Sequence, residues 1–124
     1  MKHIALLTCV CGLMLLGSCK NQSAQNEQPL EVMTFNVRLD APSDSANNWK
    51  YRKDNVCQMI TYYQPDLLGM QEVRHNQMED LKQGLPQYTA LGVGRDDGKE
   101  AGEYCPIFFN SHRFTLVEYL SLIH

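Results

Sequence analysis

Apolar and polar residues alternate from Leu30 to Leu39, with Met33, Phe35, Val37 and Leu39 on one side and Val32, Thr34, Asn36 and Arg38 on the other. A repeat of two marks a half-buried strand. Residues 40–47, rich in Asp, Ser, Pro and Asn, break the pattern and read as a loop. From Trp49 the spacing becomes helical: Val56, Met59 or Ile60, and Tyr63 share a face, and Pro65 is the stop. Leu67 to Val73 is a second strand, Met78, Leu81 and Leu85 mark a second helix ending near Gly84 and Pro86, and Tyr88 to Val93 is a third strand. Residues 94–103 form a polar glycine-rich loop that leads into an expected strand, Tyr104 to Phe109. Ile107–Phe109 and Phe114–Tyr119 should close a hairpin around Asn110, Ser111 and His112. There is no internal repeat.

Strand, helix, strand is a βαβ unit, so its two strands should be parallel and joined by a right-handed crossover. Asn36 ends the first strand and Glu72 the second, which puts both at one edge of the sheet, where α/β proteins tend to build sites. The later hairpin would make the sheet mixed. The fold class is therefore α/β.

A length of 124 residues allows one domain, and a formal net charge of −3 leaves no basic stripe for non-specific nucleic-acid binding. A phosphate-bearing substrate stays open, because a bound metal reverses the local field. Lys2 and His3 precede an apolar run, Ile4 to Leu16, that is too short for a stable membrane-spanning helix. Residues 1–18 read as a secretory signal. Leu16-Gly17-Ser18-Cys19 resembles the lipobox of bacterial lipoproteins, in which the cysteine is lipidated. Residues 19–29 would then be the lipidated Cys19 and a flexible tether, and 30–124 the domain. The expected location is outside the cytoplasm, anchored by lipid to a bacterial envelope membrane, with no protein partner. Cys57 falls in a helix and Cys105 in a strand, so two buried thiols are expected rather than a disulfide, and no CxxC pair suggests zinc.

Three side chains are candidates for chemistry. Glu72 follows an apolar strand directly; it either binds a hard divalent cation, which needs few protein carboxylates, or pairs at the surface with Arg74 or another base. Asn36 faces away from the apolar side of its strand and either orients a water or phosphate oxygen or satisfies nearby backbone groups. Glu103 leads into the strand at Tyr104 and would be held more steadily than the loop carboxylates Asp97 and Glu100.

The segments MTFNVR at 33–38, DLLGMQEV at 66–73 with QMEDL at 77–81, and GVGRDDGKEAGEYCPIFFNSHRF at 92–114 resemble the endonuclease/exonuclease/phosphatase superfamily. Within it they are similar to secreted or lipid-anchored bacterial members, over roughly residues 30–118. The resemblance implies a four-layer α/β sandwich, two mixed sheets face to face with helices outside. It also implies hydrolysis of a phosphate ester with Mg2+ or Mn2+ as cofactor. Glu72 would be the metal-binding glutamate, Asn36 the asparagine at the metal and phosphate site, and Glu103 a residue that assists a catalytic histidine. The family pattern continues with an Asn-Thr-His segment, an Asp-x-Asn segment and a terminal Asp-His pair, none of which this sequence contains. His75 and His112 do not fit the missing role. The expectation is the N-terminal portion of such a domain, shortened by truncation or frameshift, inactive alone, marginally folded and with an apolar sheet face uncovered. The rival readings are a non-catalytic exported lipoprotein that binds a ligand, and a product without a role.

Overall fold

The structure, a computed structural model, describes residues 28–120. The expected signal segment, Cys19 and nearly all of the tether lie outside the described residues. The strands are β1 (Val32–Asn36), β2 (Leu67–Gln71), β3 (Tyr88–Leu91) and β4 (Ile107–Asn110), and the α-helices are α1 (Trp49–Tyr63) and α2 (His75–Gly84). A short 3-10 segment, Pro42–Asn47, precedes α1. The sheet order is β1-β2-β4-β3: β1 and β2 run parallel, and β4 is antiparallel to both β2 and β3. The mixed α/β character expected from the sequence is present. Among the described residues no helix is long and apolar enough to cross a membrane.

Cross-strand register explains which face is covered. Met33 lies opposite Leu68, Phe35 opposite Met70, and Phe108 between Leu68 and Ala90. These residues share one face and pack with Val56, Ile60, Met78, Leu81 and Leu85 from the two helices. Burying a side chain as fully as Ile60, Leu68, Leu81 or Phe108 contributes about 1.5–3 kcal/mol each. The helices also lock to one another: the Trp49 indole N–H donates to Asp80 at 2.8 Å, and Lys53 meets the same carboxylate at 2.9 Å. Gly84 lets them approach, since a Cβ there would come within 2.5 Å of the Cys57 sulfur. The opposite face is open. Val32 and Ile107 are 67% and 51% exposed, and a Cβ on Gly69 would meet nothing.

Several expectations need correction. Phe114–Tyr119 forms no strand. The physical reason is that β4 already has β2 on one side and β3 on the other, so no edge remains for a hairpin partner. The chain turns instead through Asn110, whose carbonyl accepts from the N–H groups of Arg113 and Phe114. Tyr104 makes only an isolated bridge to Val73, and the strand begins at Ile107. Cys105, outside that strand, is exposed, and Cys57 is half-buried; both thiols are free. Tyr63 is 58% exposed because it sits in the last turn of α1, where its ring meets Tyr62 edge-on. Ile60, not Met59, is the fully buried residue of that turn.

The carboxylate of Asp66, at the start of β2, is buried and accepts from the Glu31 N–H at 3.0 Å and from the Arg113 guanidinium. Removing one partner of a fully buried pair costs about 3–5 kcal/mol. Arg113 is one-third exposed, so Arg113→Met should cost about 2 kcal/mol. Urea denaturation measures this; a loss below about 0.5 kcal/mol would show that the ion pair is not holding the 111–114 turn to the sheet.

Candidate functional site

The β2–β4 ladder slips at the point where the carboxylate of interest stands. Gly69 pairs with Ile107, yet Val73 bridges Tyr104, so four steps along one strand match three along the other. The extra residue makes a β-bulge, which bends a strand and re-aims a side chain. Glu72 sits in it with φ of 61°, in the left-handed region. Simple alternation would put Glu72 on the face of Leu68 and Met70, inside the core. The bulge turns it to the rim.

There it meets Asn36, at the end of β1. The Asn36 amide Nδ2 donates to Glu72 Oε1 at 2.8 Å, and the Leu39 backbone N–H donates to Oε2 at 3.2 Å. Asn36 Oδ1 in turn accepts from the Arg38 N–H at 2.8 Å. The Asn36 oxygen thus satisfies backbone, as one sequence reading expects, while its nitrogen is turned to Glu72. The amide of Asn36 first, then the Leu39 N–H and the Arg38 charge, hold the Glu72 carboxyl below its ordinary value. It is therefore ionised at neutral pH. The surface pairing of Glu72 with Arg74 is absent; Arg74 reaches Glu103 instead, at 3.9 Å.

Asn36, Arg38, Leu39, Ala41, Asp44 and Glu72 line one open cleft of about 450 Å³. Within that lining Arg38 donates to both oxygens of Asp44, at 2.8 and 2.7 Å. This pair holds the Asp44 carboxyl below its usual range. The turn that carries Arg38 and Leu39 is braced from two helices. From α1, Arg52 donates to the carbonyls of Asn47, Val37 and Arg38 at 2.6, 2.8 and 3.1 Å. From α2, the fully buried Gln77 takes the Asp40 and Arg74 N–H groups and donates to the Arg38 carbonyl.

The structure brings Asn36 and Glu72 together and leaves Glu103 outside the cleft, with its carboxylate at Arg95 and Arg74. His75 meets the Tyr104 hydroxyl at 3.0 Å, and His112 lies beside Asn110 at the opposite edge of the sheet. Neither histidine lines the cleft. Sequence reasoning missed Arg52 and Gln77. The signal for Gln77 was its position on the apolar face of α2, one residue before Met78, where a polar side chain must find partners.

Comparison with known proteins bears on the family and the fold. The model of the Endonuclease/Exonuclease/phosphatase family matches residues 33–118. A Bacteroides vulgatus endonuclease/exonuclease/phosphatase is 54% identical, with a TM-score of 0.71, over 72% of this chain and 34% of its own. A Bacteroides thetaiotaomicron mannosyl-6-phosphatase is 41% identical, with a TM-score of 0.70, over 73% of this chain and 34% of its own. The CCR4-Not complex 3'-5'-exoribonuclease subunit Ccr4 of Mycosarcoma maydis is 26% identical over 83% of this chain and 18% of that subunit. The chain thus spans about a third of these solved structures and less of that curated relative.

Left-handed backbone at a residue with a Cβ is strained by about 1–2 kcal/mol. Glu72→Gly should therefore be about 1 kcal/mol more stable than Glu72→Ala in urea denaturation. Equal stabilities would contradict the bulge geometry. With its residues 33–118 matched by the family model and its sheet and helices like those of solved members, this chain belongs to the endonuclease/exonuclease/phosphatase family.

Proposed function

We propose that the chain carries the cation-binding part of a divalent-metal-dependent phosphoesterase that acts on a small phosphate ester. The observation that carries this reading is the Asn36–Glu72 contact at 2.8 Å in an open cleft. An ionised carboxylate is a hard oxygen donor, and two hydrogen bonds leave it lone pairs for an ion. Mg2+, or Mn2+ in its place, is often held by one or two carboxylates with water and substrate phosphate filling the remaining positions. When bound, such a cation supplies positive charge against the negative charge that builds on phosphoryl oxygens during attack by water.

The protein groups have separable parts in this reading. Glu72 holds the ion, and the Asn36 N–H can pass from that carboxylate to a phosphate oxygen. The Arg38 guanidinium, paired with Asp44 through Nε and Nη2, keeps its Nη1 donors for a phosphate oxygen. Glu103 acts from outside the cleft by fixing Arg74, two residues beyond Glu72. Activation of the water needs a base within hydrogen-bond reach, and no histidine among the described residues offers one at the cleft. The chain alone therefore binds the cation and does not turn over. The absence of a basic stripe and the 41% identity to a mannosyl-6-phosphatase support a sugar phosphate over a polynucleotide.

Mn2+ titration of the purified chain, followed by the electron paramagnetic resonance of the free ion, should show one weak site. Glu72→Gln should lower its affinity about tenfold or more while the circular dichroism spectrum is unchanged. Binding that survives Glu72→Gln would end this assignment. Turnover of mannose 6-phosphate by the chain alone, abolished by Glu72→Gln, would overturn the missing base and keep the site.

Leu16-Gly17-Ser18-Cys19 supports export and anchoring of this domain by a lipid on Cys19, placing it at a bacterial envelope membrane. Radiolabelled palmitate should enter the chain in a bacterial host and be lost with Cys19→Ala. Label that persists in that variant would refute the anchor.

A further inference from the structure

Gln77 is the one buried side-chain amide among the described residues, at 0% exposure. A buried amide must find partners, and each of its partners bears on the cleft. Its Oε1 accepts from the Arg74 N–H at 3.0 Å and from the Asp40 N–H at 3.1 Å. Its Nε2 donates to the Arg38 carbonyl at 3.0 Å. Arg38 and Asp40 flank Leu39, the residue whose N–H holds Glu72 Oε2. Arg74 follows Glu72 by two residues and starts α2. One amide therefore ties together the turn that donates to the carboxylate and the chain that leaves it.

We propose that Gln77 is a positioning residue for the cation site, setting the distance between the Leu39 N–H and the Glu72 carboxylate by cross-linking the 38–40 turn to the start of α2. The inference rests on the cation site proposed above. It explains why the position calls for an amide. A carboxylate of the same size would accept from both N–H groups but face the Arg38 carbonyl, lone pair against lone pair. A methionine would fill the space and leave the Asp40 and Arg74 N–H groups without this partner. Arg52 braces the same turn from the other side through Val37 and Arg38, so the turn does not collapse when Gln77 is replaced. Gln77 never touches Glu72, and it acts only through the backbone it holds.

The test uses the 124-residue chain and two readouts. The first is Mn2+ affinity by paramagnetic resonance. The second, which needs no metal, is hydrogen exchange at the Leu39 amide. Gln77→Met and Gln77→Glu should each raise the Mn2+ Kd about tenfold or more, the usual effect of losing a group that orients a ligand. Both should speed Leu39 exchange by a similar factor. Ile60→Val, which removes a methyl at the far end of α1, should leave both readouts within about twofold of the starting chain. Two results would overturn the inference: Gln77 variants with unchanged Kd and unchanged Leu39 protection, or an Ile60→Val variant that weakens Mn2+ as much. A starting chain that protects Leu39 in a Gln77-dependent way yet binds no Mn2+ would overturn the cation reading itself, and the inference with it.

Discussion

One extra residue in a β-ladder decides where the chemistry of this chain can be. If β2 kept its register through Val73, alternation would send the Glu72 side chain to the face that carries Leu68 and Met70. A carboxylate there would be ionised and unpaired among hydrocarbon, which is expensive. The slip between Gly69 and Val73 moves it to the rim, beside the end of β1. The parallel pairing of Asn36 with Gln71 then places the asparagine within reach. The site is a consequence of strand register, and the left-handed backbone at Glu72 is the strain that accompanies it.

The rest of the fold keeps that rim rigid. Both helices cover the same face, and their buried residues interlock with Leu68, Met70 and Phe108. From this layer two side chains reach forward, Arg52 from α1 and Gln77 from α2, and take hold of the turn after β1. Glu72 is held by N–H donors from an amide and a backbone group, and no direct ion pair among the described residues neutralises it. A carboxylate held this way keeps its negative charge available to a cation. The neighbouring arginine is occupied by Asp44 and so does not occupy Glu72. The other sheet face, with Val32 and Ile107 exposed, takes no part in this scaffold.

Much of this was legible in the chain of residues, for reasons that differ by element. The period-two pattern around Phe35 and the helical spacing of Val56 and Ile60 report burial directly, so β1, α1, β2 and α2 could be placed. The parallel pairing followed from their order, and with it the meeting of Asn36 and Glu72. The bulge was not legible, because an inserted residue in a ladder leaves no periodic trace in so short a strand. Phe114–Tyr119 looked like a strand because apolar residues alternate there, but pairing depends on a free edge, and β4 has none. Glu103 looked well held and is, though by Arg74 and Arg95 rather than at the cleft. Gln77 went unassigned because its importance lies in backbone partners, two of which, at Arg38 and Asp40, are distant in sequence.

The proposed cation would sit against the Glu72 carboxylate, at the rim where β1 and β2 end. Diffraction from crystals of this chain soaked in Mn2+, with data collected for anomalous scattering, tests it most directly. One strong anomalous peak is expected roughly 2 Å from a Glu72 oxygen, with the Asn36 side chain beside it. A peak elsewhere with Glu72 free, or Asn36 and Glu72 at separate edges of the sheet, would contradict it.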